Sequence, residues 1–144
     1  MRSSVIRIGV VCGWIALGTF AAQGQTSSSP HLNPEAAKIK NPTEATADSV
    51  ASGKKLFMFF CAACHGPGAK GDGGIYGAFG GGSPTNLTED AWQRAMSDGE
   101  IFTVIRDGIQ LVEMAGFKKR MTDPQIWDVV NFVRSVAEHP AAKK

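Results

Sequence analysis

The chain is short of the residues that most often carry chemistry. Among its 144 residues are three cysteines, three histidines and one tyrosine. A structural zinc site wants four ligands, and one of the three thiols, Cys12, lies inside an apolar N-terminal run. Charge of one sign is also lacking: 15 Lys and Arg face 13 Asp and Glu. So even a balance gives no electrostatic footprint for nucleic acid. There is no internal repeat, and the length suits one small domain. Long apolar runs are scarce too. The best of them, Ile8 to Ala22, is short for a membrane span, which takes about 20 residues.

That run instead reads as the core of an export leader. Arg2 and Arg7 give the positive start and Ala22-Gln23-Gly24 a small-residue cleavage site. The leader is expected over 1–24, with an uncleaved membrane tether as the alternative. Cys12 follows Val10-Val11, which does not suit a lipid-modified cysteine. Without Arg2 and Arg7, 13 basic residues meet 13 acidic ones. From Thr26 to Ala47 large apolar side chains are almost missing, so 25–47 is expected to be a flexible linker. His31 lies within it and is expected to be solvated. The folded domain is then 48–140, with a frayed tail at 141–144.

Against this sparse background stands Cys61-Ala62-Ala63-Cys64-His65. C-x-x-C-H is the spacing that attaches a c-type haem. Two thiols add to the two vinyl groups as thioethers, and the next residue sets an imidazole under the iron. A thioredoxin-like pair would follow a strand, whereas Ser49 to Phe60 has helical spacing, with Val50, Gly53, Phe57 and Phe60 on one face. Gly53 inside that helix costs about 1 kcal/mol relative to Ala and implies a second helix passing close over it. Asp48 or Ser49 is expected to cap the helix. Gly66 to Gly82 holds nine glycines in 17 residues, with Ile75, Tyr76 and Phe79 among them. It reads as a loop wrapping one haem edge. The carbonyl of Pro84 is a candidate acceptor for the second ring nitrogen of His65.

Three further helices are expected. Thr88 caps a short one ending at Gly99, and Glu100 to Asp107 forms another. Thr122 and Gln125 make a capping box for a last helix running to about Glu138. A thioether sulfur is a suitable sixth ligand and raises the potential of the iron. Met58 lies one turn before the haem motif, on the proximal side, and Met96 lies in a helix where packing is the default. Met114 and Met121 remain. Met114 sits mid-loop between Ile109 and Arg120 and is favoured; Met121, beside the capping box, is the runner-up and His139 a third option.

With these residues in hand, the chain resembles the class I c-type cytochromes, of the small bacterial, periplasmic, monohaem kind. The resemblance runs from about Ser49 to Val136. It covers Gly53 and Phe57, Cys61 to Gly66, Gly71-Asp72-Gly73, Asn86-Leu87-Thr88, Ser97 to Phe102, Gly108, Met114 to Phe117 and Trp127 to Arg134. It implies an all-α cytochrome c fold in which N- and C-terminal helices cross, Gly53 and Phe57 against Val129 and Phe132. Shorter helices and loops would surround one covalently bound haem c. It also implies an electron carrier, not an enzyme, working between redox protein partners, with His65 and Met114 as axial ligands. Relatives often have Met-Pro-x-Phe where this chain has Met114-Ala115-Gly116-Phe117, so a looser methionine loop is expected. Glu113 would lower the potential somewhat. Lys118, Lys119 and Arg120, with Lys70, could steer an acidic partner. Two other functions fit the same residues. One is a dedicated haem subunit of a dehydrogenase or oxidase. The other is an open-site haem protein, which the lack of a distal histidine or arginine disfavours.

Overall fold

The computed structural model describes residues 33–75, 83–109 and 114–138. The 1–24 leader, His31, Tyr76, Phe79, Glu113, His139 and the 141–144 tail lie outside them. A short 3-10 turn, Ala36–Lys38, precedes helix α1, Ala47–Phe60, and the four-residue α2, Ala62–His65. After the glycine-rich loop come α3, Asp90–Ala95, and α4, Asp98–Asp107. Strands β1, Gly108–Ile109, and β2, Met114–Ala115, pair antiparallel before the last helix, α5, Asp123–Ser135. Among the described residues no helix is long and apolar enough to cross a membrane.

The frame is the crossing of α1 and α5. A side chain at Gly53 would overlap the Asp128 carbonyl, so only glycine lets the two backbones approach this closely. One turn on, the rings of Phe57 and Phe132 sit 5.0 Å apart, and Phe57, Val129 and Val130 are almost wholly buried. Each such side chain contributes roughly 1.5–3 kcal/mol by leaving water. The crossing is the all-α core that the resemblance implied.

Polar groups fasten its upper end. Ser49 Oγ donates to Asp128 Oδ1 at 2.5 Å and accepts from Asn131 Nδ2 at 2.8 Å. With Ser49 committed to α5, the cap of α1 falls to Thr46, whose hydroxyl accepts from the Ser49 amide at 3.1 Å. Asp48 lies in the first turn rather than at the cap. Thr88 likewise does not cap α3; its hydroxyl donates to Asn86 Oδ1 at 2.8 Å, and Glu89 holds the cap position. The α4 helix begins two residues before the expected Glu100. There Ser97 and Glu100 form a capping box.

The expected linker needs correction. Within 25–47, residues 33–46 lie on the domain as a strap. Ala36 is 2% exposed, and the 3-10 turn packs against α4. Asn41 donates to Asn131 Oδ1 at 2.8 Å, and Asn131 in turn donates to the carbonyls of Thr43 and Glu44. Hydrogen bonds, not apolar side chains, hold most of this segment down.

Candidate functional site

Helix α2 presents the C-x-x-C-H residues from one tight turn. The amides of Cys64 and His65 both donate to the Cys61 carbonyl, at 3.1 and 2.9 Å. The loop that follows folds back on this turn: Gly71 donates to the His65 carbonyl at 2.9 Å and Gly73 to the Cys64 carbonyl at 3.1 Å. Gly71 has φ +78°, and a side chain there would collide with the Pro84 carbonyl. The described part of the glycine-rich stretch therefore packs onto the haem motif.

An apolar cavity opens beside α2. One wall carries Phe57, Cys61 and His65. Another stretch of wall carries Ile109 and Met114, which face each other across the β1–β2 pair. Between them α4 contributes Ile101, Val104 and Ile105, α5 contributes Val129 and Val133, and α3 and its end contribute Trp92 and Met96. Leu87 and Thr85 complete the floor. Met121, by contrast, is 5% exposed within the core and does not line the cavity. Cys64 is half-buried on the same turn as Cys61.

The β pair anchors the methionine segment. The amides of Phe117 and Lys118 donate to the carbonyls of Ile105 and Arg106, at 3.0 and 3.1 Å. Phe117 is buried, and its ring meets Phe60 at 5.7 Å. The loosening expected from Ala115-Gly116 is therefore offset by long-range hydrogen bonds and packing.

Burial sets the protonation of the two groups on the proximal wall. It pushes the Cys61 thiol up to about 12, with Cys64 adding to the shift. It also lowers His65, an effect that the nearby Thr85 main chain partly offsets. A lowered imidazole keeps the neutral, lone-pair-bearing form that a metal ligand must have. His65 Nδ1 is buried with no hydrogen-bond partner. The Pro84 carbonyl, the expected acceptor, is turned against Gly71 instead, and the main-chain group that acts on His65 belongs to the next residue, Thr85.

These residues fit a haem. A large flat apolar ring needs apolar walls, two thiols and a neutral imidazole; the cavity supplies the walls, the Cys61 thiol and His65, and Cys64 lies on the same turn as both. Met96, where packing is the default, also lines the cavity, and Trp92 of α3 does so beside it. A helix this short gives no sign in the sequence of which neighbour its apolar side will meet.

Of the basic trio, Lys118 pairs with Asp107 at 3.2 Å, and Arg120 lies over Phe60 and Phe117, at 4.7 and 5.4 Å from the ring centroids. Arg106, with Lys118 behind it, holds the Asp107 carboxyl below the usual carboxylate range. Two of the three expected steering charges are thus engaged within the domain.

Comparison with known proteins bears on the family and the fold. The family model described as cytochrome c oxidase, cbb3-type, subunit III matches residues 48–133. The cbb3-type cytochrome c oxidase subunit FixP of Sinorhizobium medicae is 30% identical over 129 residues, which are 84% of this chain and 41% of FixP. This chain thus spans about two fifths of that relative. Among solved structures, a reducing HAO-like protein complex of Kuenenia stuttgartiensis superposes with TM-score 0.60 at 23% identity, over 69% of this chain and 50% of that one. The KustC0563 c-type cytochrome gives TM-score 0.51 at 26% identity, over 60% of this chain and 98% of that one. With the cytochrome c fold, the attachment spacing of Cys61 and Cys64 and a family model spanning the whole α1-to-α5 core, the chain belongs to the cbb3-type cytochrome c oxidase subunit III family of haem c electron-transfer domains.

Proposed function

We propose that the chain is an exported monohaem cytochrome c domain that passes single electrons between redox proteins in the periplasm. In this reading Cys61 and Cys64 hold the haem as thioethers, and His65 and Met114 bind the iron from opposite sides. The observation that carries it is that His65 and Met114, from different elements, line one cavity, whereas Met121 is spent in the core. The haem supplies a one-electron ferric/ferrous couple. The protein's part is to exclude water with Phe57, Leu87, Ile105 and Val129, to keep His65 neutral, and to fix the Met114 segment through Phe117. Export rests on the 1–24 leader, which leaves 25–32 and the packed strap ahead of the domain.

A far-red sulfur-to-iron charge-transfer band in the ferric protein tests the ligand set. We expect the band in the wild type and its loss in Met114→Ala. Met121→Ala should keep the band while losing about 2–5 kcal/mol of stability as a core truncation. A band that survives Met114→Ala and disappears in Met121→Ala would reassign the ligand.

The comparisons favour a second arrangement of the same chemistry. FixP is a subunit of an oxidase, and the Kuenenia structure is a complex. Stable co-purification with a large partner would make this chain a dedicated haem subunit rather than a free shuttle.

A further inference from the structure

Helix α1 has two faces of different character. Its inner face, with Ser49, Gly53 and Phe57, is buried against α5. Its outer face carries Ala51, Lys54, Lys55, Met58 and Phe59 around a shallow depression. Phe59 is 78% exposed and Met58 45%. A phenylalanine held this far into water at the end of a rigid, well-packed helix is unusual, and contiguous apolar exposure marks interaction surfaces.

We propose that this outer face is where an acidic redox protein docks. The inference rests on the electron-carrier reading above and identifies the surface that serves it. An apolar centre with a charged rim is the anatomy of a protein interface, and aromatic residues and methionine are enriched at such centres. The two charged side chains that line the depression, Lys54 and Lys55, are both positive. Lys54 and Lys55 have no ion-pair partner among the described residues, as is also true of Lys40, Lys70, Lys119 and Arg120, but only Lys54 and Lys55 flank an exposed aromatic ring. In a chain of nearly balanced charge, that local excess favours an acidic occupant.

Other occupants fit less well. A second copy using the same face would bring its own Lys54 and Lys55 against these, since a two-fold contact is self-complementary. A bilayer surface is held by a long apolar stripe, and α1 offers only two large exposed apolar side chains. Position also favours a redox partner. Phe59 lies two residues before Cys61. Its ring meets Phe60 edge-on at 4.8 Å, and Phe60 meets Phe117, three residues after Met114, at 5.7 Å. A partner on Phe59 therefore sits against side chains that brace both walls of the cavity.

The test uses reduced holoprotein and two oxidised blue-copper proteins of matched potential, one acidic and one basic, mixed by stopped flow. One electron leaves the ferrous haem and reduces Cu(II) to Cu(I), leaving the cytochrome ferric. At low ionic strength the acidic probe should react about tenfold faster than the basic one, and the gap should close as salt is raised. Lys54→Glu/Lys55→Glu should abolish or invert that preference. Phe59→Ser should slow the acidic probe several-fold at every salt concentration. All these positions are exposed, so an unchanged haem spectrum and melting temperature verify the fold of each variant. A preference that survives Lys54→Glu/Lys55→Glu, or that Lys118→Glu/Lys119→Glu removes instead, overturns the assignment. So does Phe59-dependent dimerisation in sedimentation or Phe59-dependent binding to phosphatidylglycerol vesicles. Equal rates with both probes remove the docking face but leave the carrier reading intact. No electron transfer to either probe removes the carrier reading itself.

Discussion

The two walls of the haem cavity are built in opposite ways. On the His65 wall nearly every fixing contact is local. Five consecutive residues form the motif, their amides close on the Cys61 carbonyl, and the loop from Gly66 to Gly73 folds straight back on them. On the Met114 wall one short hairpin is local, and the contacts that fix it to the domain reach twelve residues or more back along the chain. Met114 faces Ile109 across a two-residue pair, Phe117 bonds to Ile105, and its ring leans on Phe60 from the far end of the chain. One wall is held by backbone geometry and the other by packing. Damage to the two should therefore look different.

The largest effect is expected on the packed wall. Phe117→Ala removes a buried ring that touches Phe60 and Arg120 and should cost about 3–5 kcal/mol in denaturant unfolding. Under the proposed His65/Met114 ligation it should also release Met114, seen as loss of the charge-transfer band on warming well before the protein unfolds. If band and fold are lost together, the methionine segment is not separately held, and the contrast between the walls fails. On the local wall, Gly71→Ala meets both an unfavourable φ and the Pro84 carbonyl. It should cost roughly 1–3 kcal/mol while leaving the band intact, because the strain falls on the His65 side. Smallest of the three, Asn41→Ala removes one hydrogen bond from Asn131. It should cost about 0.5–1.5 kcal/mol, with no change in either ligand signature, as the strap lies outside both walls.

The same contrast explains which parts could be read without coordinates. The proximal wall is written in adjacent letters, so Cys61, Cys64 and His65 stood out at once. Gly53 signalled the helix crossing because a mid-helix glycine has a cost that something must offset, and Asp128 lying directly over it is that reason. A two-residue strand has no periodicity, so the pairing of Ile109 with Met114 left no trace; the methionine could be narrowed down only by asking which candidates had other work. The caps show the same limit. Ser49 and Thr88 are good N-cap residues by type, but a long-range hydrogen bond claims Ser49 and the neighbouring Asn86 claims Thr88, and the α1 cap passes to Thr46 while α3 starts at Glu89 without a side-chain cap. The strap was missed for a related reason. Its attachment runs through Asn41, main-chain carbonyls and one small buried alanine, none of which registers as an apolar pattern.

That strap also sets the length of the leash. A tether spanning all of residues 25–47 could, fully extended at about 3.3–3.6 Å per residue, let the domain range about 80 Å from whatever holds its start. With 33–46 fastened along α4 and α5, that stretch adds nothing to the reach, which falls by about 50 Å. The domain would also leave its tether from a fixed point on the α4–α5 side rather than from the tip of α1. A haem domain held on so short a lead would search a small volume for its partner, at a correspondingly high effective concentration.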